Sequence, residues 1–236
     1  FMYRSNLSLV EYSNISEMFH LTRTPRERYN FTQLSTPPLR QYLADVVDYY
    51  KLALSSDEPY IKYISFYHIM EYFYDEVFKK KMVSDLRNKI TSPDFTYKND
   101  DKVYEIAKFV NNRMRMDSKS GLGDEAESLK FVLMEYVPIE ELRARIATID
   151  PTAETYYQTS KVVFCNAPSI AWSDVQGVYT QLCKRIYATR NSLIHSKSGR
   201  KHELYHPYKD EPILRKEIPL VKAVAELIII NSSSVL

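Results

Sequence analysis

The sequence predicts an all-α protein, an antiparallel helical bundle, and three features of the chain support that fold class. Only 4 of the 236 residues are glycine, whereas turn-rich β folds need many residues with positive φ. Long stretches place apolar residues at helical spacing. Short polar breaks, several of them marked by proline, separate these stretches. We expect irregular or partly β structure only in a short N-terminal segment.

The composition is typical of a globular domain and excludes several other classes of protein. Hydrophobic residues make up 44% of the chain and charged residues 26%, which are ordinary values for a soluble fold. A net charge of +2 does not by itself indicate nucleic acid as a partner. Cys165 and Cys183 are too few for a disulfide framework, so a reducing, cytoplasmic setting is favoured. No apolar stretch is long enough to indicate a membrane partner.

A change in organisation is predicted at Pro37-Pro38, where a new helical regime begins. Residues 1–36 show no clear period, and the chain begins at Phe1 rather than at a methionine. We therefore expect residues 1–36 to be an arm on the bundle or the tail of an upstream domain, such as a sensor. Residues 37–236 are predicted to form the helical domain.

Apolar spacing predicts the order of helices in this domain. Six helices are expected at 39–54, 59–80, 82–90, 100–114, 124–136 and 138–148. A further helix is expected to begin near Ser173 or Asp174 and to end near residue 195, and the last to run from about residue 216 to about residue 230. Asp100 or Asp101 is the expected cap of the fourth helix. Residues 117–123 are predicted to be an exposed loop, 161–165 a short strand or extended connection, and 197–215 a polar connection.

The candidate chemistry lies near the end of the helix that begins at Ser173 or Asp174. On a regular helix Tyr187, Asn191 and His195, spaced four apart, form one stripe, and Arg190 borders it. Arginine can hold anionic oxygens through its fork of donors, and histidine can transfer a proton near neutral pH. Asn191 could fix a tautomer or a phosphate oxygen. Taken alone, arginine and histidine at this spacing form a weak pattern that favours a basic helix C-terminus, where both offset the macrodipole.

The run from Ile186 to His195, with its pattern Ile-Tyr-x-x-Arg-Asn-x-x-x-His, resembles the motif of the HEPN family, in particular its Apea-like branch. The segment Tyr67–Phe73 resembles the apolar helix of that family that bears an acidic residue, here Glu71. The resemblance implies a bundle of HEPN type that forms a homodimer with its two motif segments facing each other. Many family members are metal-independent ribonucleases of defence and toxin systems, and others are inactive scaffolds.

The resemblance also implies roles for individual residues and the absence of a cofactor. Arg190, Asn191 and His195 match the motif and are the expected catalytic residues, with Tyr187 and Glu71 as orienting or supporting residues. In such a ribonuclease the ribose 2′-OH is the nucleophile, so a base, an acid and positive charge at phosphorus are needed. A two-fold dimer would bring two histidines and two arginines into one cleft. RNA is the expected substrate, and an antitoxin is a possible further partner.

A basic rim surrounds the motif in the sequence. The residues predicted to bind RNA are Lys184, Lys197, Arg200, Lys201 and His202, and Arg185 adds to the same local charge. A solvated polar loop describes Lys197–Lys201 equally well. His68, which has apolar neighbours on its helix, is expected to be a core or interface residue.

A competing motif is His202-Glu203-Leu204-Tyr205-His206, which fits the zinc-peptidase pattern H-E-x-x-H. That pattern requires a regular helix, on which residues four apart share a face. Gly199 precedes the motif and Pro207 follows it directly, and proline disfavours helical geometry at the preceding residue. Zinc peptidase chemistry is therefore only a minor alternative.

Overall fold

Helices dominate the fold, and the predicted all-α class is confirmed. The computed structural model describes residues 40–119, 123–175, 177–195 and 204–235, and for 113–119 and 123–124 it describes the backbone alone. The predicted N-terminal arm, residues 1–36, lies outside the described residues, as do Lys197, Arg200, Lys201 and His202. None of the described helices is long and apolar enough to cross a bilayer.

The first half of the described chain consists of a two-residue strand and four helices. They are β1 (Arg40–Gln41), α1 (Ala44–Ser55), α2 (Pro59–Glu71), α3 (Tyr74–Ile90) and α4 (Asp100–Lys119). Asn99, rather than Asp100 or Asp101, caps α4, because its side-chain oxygen accepts the N–H groups of the residues two and three positions later, Asp101 at 3.0 Å and Lys102 at 3.3 Å.

The second half contains five helices, one short 3₁₀ turn and a second strand. They are α5 (Gly123–Tyr136), α6 (Ile139–Ile149), α7 (Ala153–Thr159), the 3₁₀ turn Val163–Cys165, α8 (Val178–Ile194), α9 (Glu211–Asn231) and β2 (Ser234–Val235). The strand expected at 161–165 is reduced to one bridge between Val162 and Ala167. β1 and β2 pair antiparallel, with Arg40 opposite Val235, which joins the two ends of the described chain.

The boundary between α2 and α3 differs from the prediction of one helix at 59–80 and another at 82–90. The helix breaks at Tyr72 and Phe73, and α3 then runs without interruption to Ile90. Neither glycine nor proline marks this break. Phe73 is 1% exposed and its ring lies 5.1 Å from that of Tyr136 on α5, so packing between helices accompanies the break where local sequence gives no signal.

α9 begins five residues earlier than predicted and contains Pro219. Proline removes one backbone donor and crowds the preceding turn. Beside it, the hydroxyl of Tyr157 on α7 donates to the Lys216 carbonyl at 2.7 Å and accepts the N–H of Leu220 at 3.0 Å. The hydroxyl thus bridges two groups that a regular helix would pair directly, and it satisfies both of them at the irregular turn.

α2 and α9 form the centre of the bundle. α9 buries side chains over most of its length, and α2 packs against α9, α1, α8 and α5. The Tyr63 hydroxyl of α2 donates to the Ile186 carbonyl of α8 at 3.0 Å. α2 and α8, which carry Glu71 and Arg190, are therefore held side by side.

Candidate functional site

α8 presents the motif residues at its C-terminal end. Its apolar face buries Leu182, Ile186 and Leu193, which fixes the rotation of the helix and turns Arg190 toward α2. The helix ends at Ile194. His195 has extended backbone (φ −99°, ψ 103°), is exposed, and donates its N–H to the Asn191 carbonyl at 3.0 Å.

The predicted stripe of three residues is therefore wrong at its last member. Only Tyr187 and Asn191 lie on the helix, and His195 leaves it at the first non-helical residue. Its imidazole therefore does not follow the helical spacing of the other two side chains. Of the predicted set, the structure brings together Arg190, Asn191, Tyr187 and Glu71.

Arg190 is the centre of a partly buried polar cluster and is only 12% exposed. Its Nη2 donates to Glu71 Oε1 at 3.0 Å, and its Nη1 donates to Glu125 Oε2 at 3.1 Å and to Asn191 Oδ1 at 3.2 Å. Its guanidinium lies over the ring of Tyr67, 5.1 Å from the centroid. Nε is buried and has no hydrogen-bond partner in the described part of the chain. We call Arg190, Glu71, Glu125 and His68 the Arg190 cluster.

Glu71 joins Arg190 to a histidine. Its second oxygen, Oε2, lies 2.8 Å from Nδ1 of His68, one helical turn earlier on α2. The hydrogen bond with His68 lowers the pKa of the Glu71 carboxyl, and the nearby Arg190 charge acts in the same direction, against the effect of burial. Glu71 is thus held ionised, with one oxygen toward each partner. His68 is partly exposed and is not a core residue, contrary to one of the two expectations for it.

Tyr187 completes the side of the cluster formed by α5 and α8. Burial raises the pKa of its hydroxyl, which interacts with the side chains of Asn191 and Glu125. A phenol that stays protonated can donate to a carboxylate. Glu125 therefore receives donors from two residues of α8, although it stands in the first turns of α5 and is about one-third exposed.

The charges of the Arg190 cluster do not cancel. Arg190 contributes one positive charge, whereas Glu71 and Glu125 contribute two negative charges when His68 is neutral. Both terminal nitrogens of the guanidinium already donate to carboxylates. A phosphate can therefore approach Arg190 closely only if one carboxylate moves away or the cluster gains a proton.

The basic rim differs from the sequence-based expectation. Lys184 is exposed and lines an open groove of about 680 Å³ between α5 and α8, together with Lys130 and apolar side chains that include Phe131 and Met134. Arg185, in contrast, is 0% exposed and adds nothing to the surface charge. Expecting it at the rim was wrong.

Arg185 forms a buried ion pair between α8 and α9. Nε and Nη2 donate to the two oxygens of Glu217 at 2.8 and 2.7 Å, and Nη1 donates to the carbonyls of Ser160 at 2.7 Å and Pro168 at 2.9 Å. The guanidinium also lies over the ring of Tyr157, 5.1 Å from its centroid. The pair is a structural link between two helices and two connections.

Neither Glu125 as a partner of Arg190 nor the burial of Arg185 was predicted from the sequence. The reasons differ. Arg185 follows Leu182 by three positions and precedes Thr189 by four, so it lies on the predicted apolar stripe, and that spacing was the available signal. Glu125 carries no local signal, since its contact with Arg190 spans 65 positions of the chain.

The zinc-peptidase pattern does not have the backbone it requires over its described half. Leu204, Tyr205 and His206 are not helical, and the N–H of His206 donates to Asp210 Oδ2 at 2.9 Å. His202 and Glu203 lie outside the described residues.

No protein-family model, curated protein sequence or solved structure matches this chain. The candidate site is therefore defined by its own geometry and by the motif that the sequence carries.

Proposed function

We propose that this protein is a metal-independent endoribonuclease related to the HEPN family, which acts as a homodimer in a defence or toxin system. The 2′-OH of the substrate RNA attacks the adjacent phosphorus, and cleavage leaves a 2′,3′-cyclic phosphate and a 5′-hydroxyl. Arg190 offsets the charge that develops on phosphorus, and His195 transfers a proton. Asn191 and Tyr187 orient groups at the site.

One observation carries this proposal. Arg190 is fixed in the last turns of α8 by Glu71 of α2, and an exposed histidine, His195, follows directly after the helix. A charge-stabilising group held by a carboxylate and an exposed proton-transfer group therefore lie within five positions of each other at the end of one helix. Rigid placement of such groups is what stabilisation of a phosphorane-like transition state requires.

Binding of the scissile phosphate requires a change in the Arg190 cluster. Glu71 is engaged at both oxygens and belongs to the central helix α2, whereas Glu125 belongs to the first turns of α5. Both acids stand at helix ends, and they differ in their other contacts, because releasing Glu71 from Arg190 would also disturb its hydrogen bond with His68. In the proposed mechanism the phosphate replaces Glu125 at Nη1, and Glu71 remains as the anchor of the guanidinium.

A second copy would supply the remaining catalytic groups. Large apolar side chains are exposed on α1, on α2 and at the break that follows α2: Tyr49 at 37%, Leu52 at 50%, Ile61 at 40% and Tyr72 at 44%. Ile61 and Tyr72 are eleven positions apart and share the helix face of His68, whose ring lies 5.1 Å from that of Tyr49. We propose these exposed apolar side chains as the homodimer surface, with His68 left open at the cleft between the two copies.

The test is incubation of the purified protein with RNA in EDTA, followed by analysis of the cleavage ends. We expect cleavage that leaves cyclic phosphate ends, and a loss of about 100-fold or more in Arg190→Ala and in His195→Ala. Glu140→Gln, a change on the exposed start of α6, is the control and should cleave like the parent. Activity that EDTA abolishes, or that both active-site variants retain, would reject the proposal.

A second candidate is a non-catalytic module that dimerises and binds RNA or a protein. It is favoured by one observation, the engagement of both terminal nitrogens of Arg190 by carboxylates, which is compatible with a purely structural role. RNA binding without cleavage, unchanged in His195→Ala, would support this candidate against the ribonuclease.

A further inference from the structure

We infer that His68 is a second proton-transfer residue of the active site, so that each protomer carries both an acid and a base. The inference rests on the proposed ribonuclease function. The motif alone supplies one histidine, His195, which is why the chemistry would otherwise have to draw on both copies of a dimer. His68 lies outside the motif and enters the site only through the fold.

The first support is the link between His68 and the guanidinium. The Glu71 carboxylate bridges them, with Oε2 at 2.8 Å from His68 Nδ1 and Oε1 at 3.0 Å from Arg190 Nη2. Only the Glu71 carboxylate therefore stands between the His68 imidazole and the Arg190 guanidinium, the group that would hold the scissile phosphate.

The second support is the orientation of the ring. A carboxylate at Nδ1 accepts its proton and fixes the tautomer of neutral histidine in which Nε2 carries the free lone pair. The ring is also steadied by Tyr49 of α1, at 5.1 Å between centroids.

The third support is access. The His68 side chain is 40% exposed, and within the described part of the chain no residue forms a hydrogen bond with Nε2. A histidine kept only for packing would have its ring covered. Here Nδ1 is bound to an acid, and two-fifths of the side chain remains exposed.

These features assign His68 the part of base and His195 the part of acid. Nε2 of His68 takes the proton of the 2′-OH, and the 2′-oxygen forms a bond to phosphorus. The bond from phosphorus to the 5′-oxygen breaks, and that oxygen receives a proton from protonated His195. One proton is taken and one is given, so exchange with water restores both histidines.

The pH profile of kcat/KM distinguishes this role from a structural one. The ionisable groups that face His68 are Glu71 on α2 and Tyr49 on α1, with Arg190 and Glu125 beyond Glu71. We expect a bell-shaped profile for the parent protein, measured in EDTA from about pH 5 to about pH 9. His68→Gln keeps a donor for Glu71 and removes the base, so it should lose about 100-fold or more and the acidic limb of the profile.

Two further variants complete the test. His68→Ala should regain part of its activity when imidazole is added, which a packing defect would not allow. His206→Gln replaces an exposed histidine on the connection before α9 and should retain the activity and the profile of the parent.

The outcomes separate the two proposals. If His68→Gln cleaves as fast as the parent with an unchanged profile while His195→Ala is inactive, the role of His68 is refuted and the ribonuclease stands. If the parent itself does not cleave RNA, both proposals are refuted.

Discussion

Two arginines stand five residues apart on α8 and illustrate two uses of the same side chain. Arg185 is 0% exposed and pairs through two nitrogens with one acid, Glu217, which is itself 1% exposed. Arg190 is 12% exposed and divides its two terminal nitrogens between two acids, Glu71 and Glu125, which are 28% and 32% exposed.

The difference concerns how completely each charge is satisfied. Arg185 donates from all three of its nitrogens, to one carboxylate and two carbonyls, and these bonds engage four of its five N–H groups. Arg190 has a buried Nε without a partner in the described part of the chain and two acids on separate helices. A buried pair with most of its donors engaged holds helices together, whereas an arginine shared between two partly exposed acids can exchange one of them for a ligand.

The largest expected effect is a loss of protein stability when the ion pair of Arg185 is broken. Arg185→Met leaves Glu217 buried and unpaired, so we expect the free energy of unfolding to fall by about 3–5 kcal/mol. Arg190→Met should cost only about 1 kcal/mol, because its acids can turn to water. Urea denaturation followed by circular dichroism measures both.

The double variant Arg185→Met, Glu217→Leu is the matched control for this prediction. It should recover part of the loss, because the buried charge is gone although two carbonyls still lack their donor. Equal losses for Arg185→Met and Arg190→Met would contradict the comparison between the two arginines.

An intermediate effect is expected on anion binding at Arg190. Glu125→Gln removes the negative charge that competes with phosphate, so affinity for an RNA strand with a 2′-deoxy residue at the cleavage position should rise about tenfold, or about 1.4 kcal/mol. Fluorescence anisotropy at fixed ionic strength measures the change. Glu140→Gln alters the net charge equally, far along the chain from the cluster, and should leave affinity within about twofold of the parent. Equal gains in the two variants would mean that net charge, not the release of Arg190, governs binding.

The fold class could be predicted from the sequence because apolar spacing is a local property of each helix. The break at Tyr72 and Phe73 could not, since it coincides with packing against Tyr136 rather than with glycine or proline. The start of α9 was missed because Pro212 in its first turn favours a continuation of the polar, proline-marked connection, although Ile213 and Leu214 already provide apolar residues there.

The residues of the candidate site also divide into those that the sequence could predict and those that it could not. The motif residues of α8 can be found from the sequence, and the acidic residue of α2 from the resemblance. Glu125 could not be found, because its contact joins the first turns of α5 to the end of α8. The position of His195 depended on one backbone torsion at the end of α8, where helical spacing ceases to apply. The catalytic roles themselves remain predictions.

The smallest expected effect is the pH dependence of stability that Glu71 contributes. Its pKa lies below the ordinary value of 4.5 in the folded protein, chiefly through the His68 hydrogen bond. A lowered folded-state pKa means that ionised Glu71 stabilises the fold fully above that ordinary value, and that this contribution is lost as the pH falls through the lower folded-state value.

Glu71→Gln removes this contribution, so its free energy of unfolding should change less than that of the parent between about pH 6 and about pH 3, by on the order of 1 kcal/mol. Urea unfolding at a series of pH values measures it, with Glu140→Gln, whose carboxylate is mostly exposed, as the control that keeps the acid slope of the parent. A parallel slope in Glu71→Gln would show that the carboxylate is not held by His68 and Arg190 in solution. A flatter slope, together with a small loss at neutral pH, would place the Arg190 cluster well below the Arg185 pair in stabilising energy, as expected of a group that must also release one partner to bind phosphate.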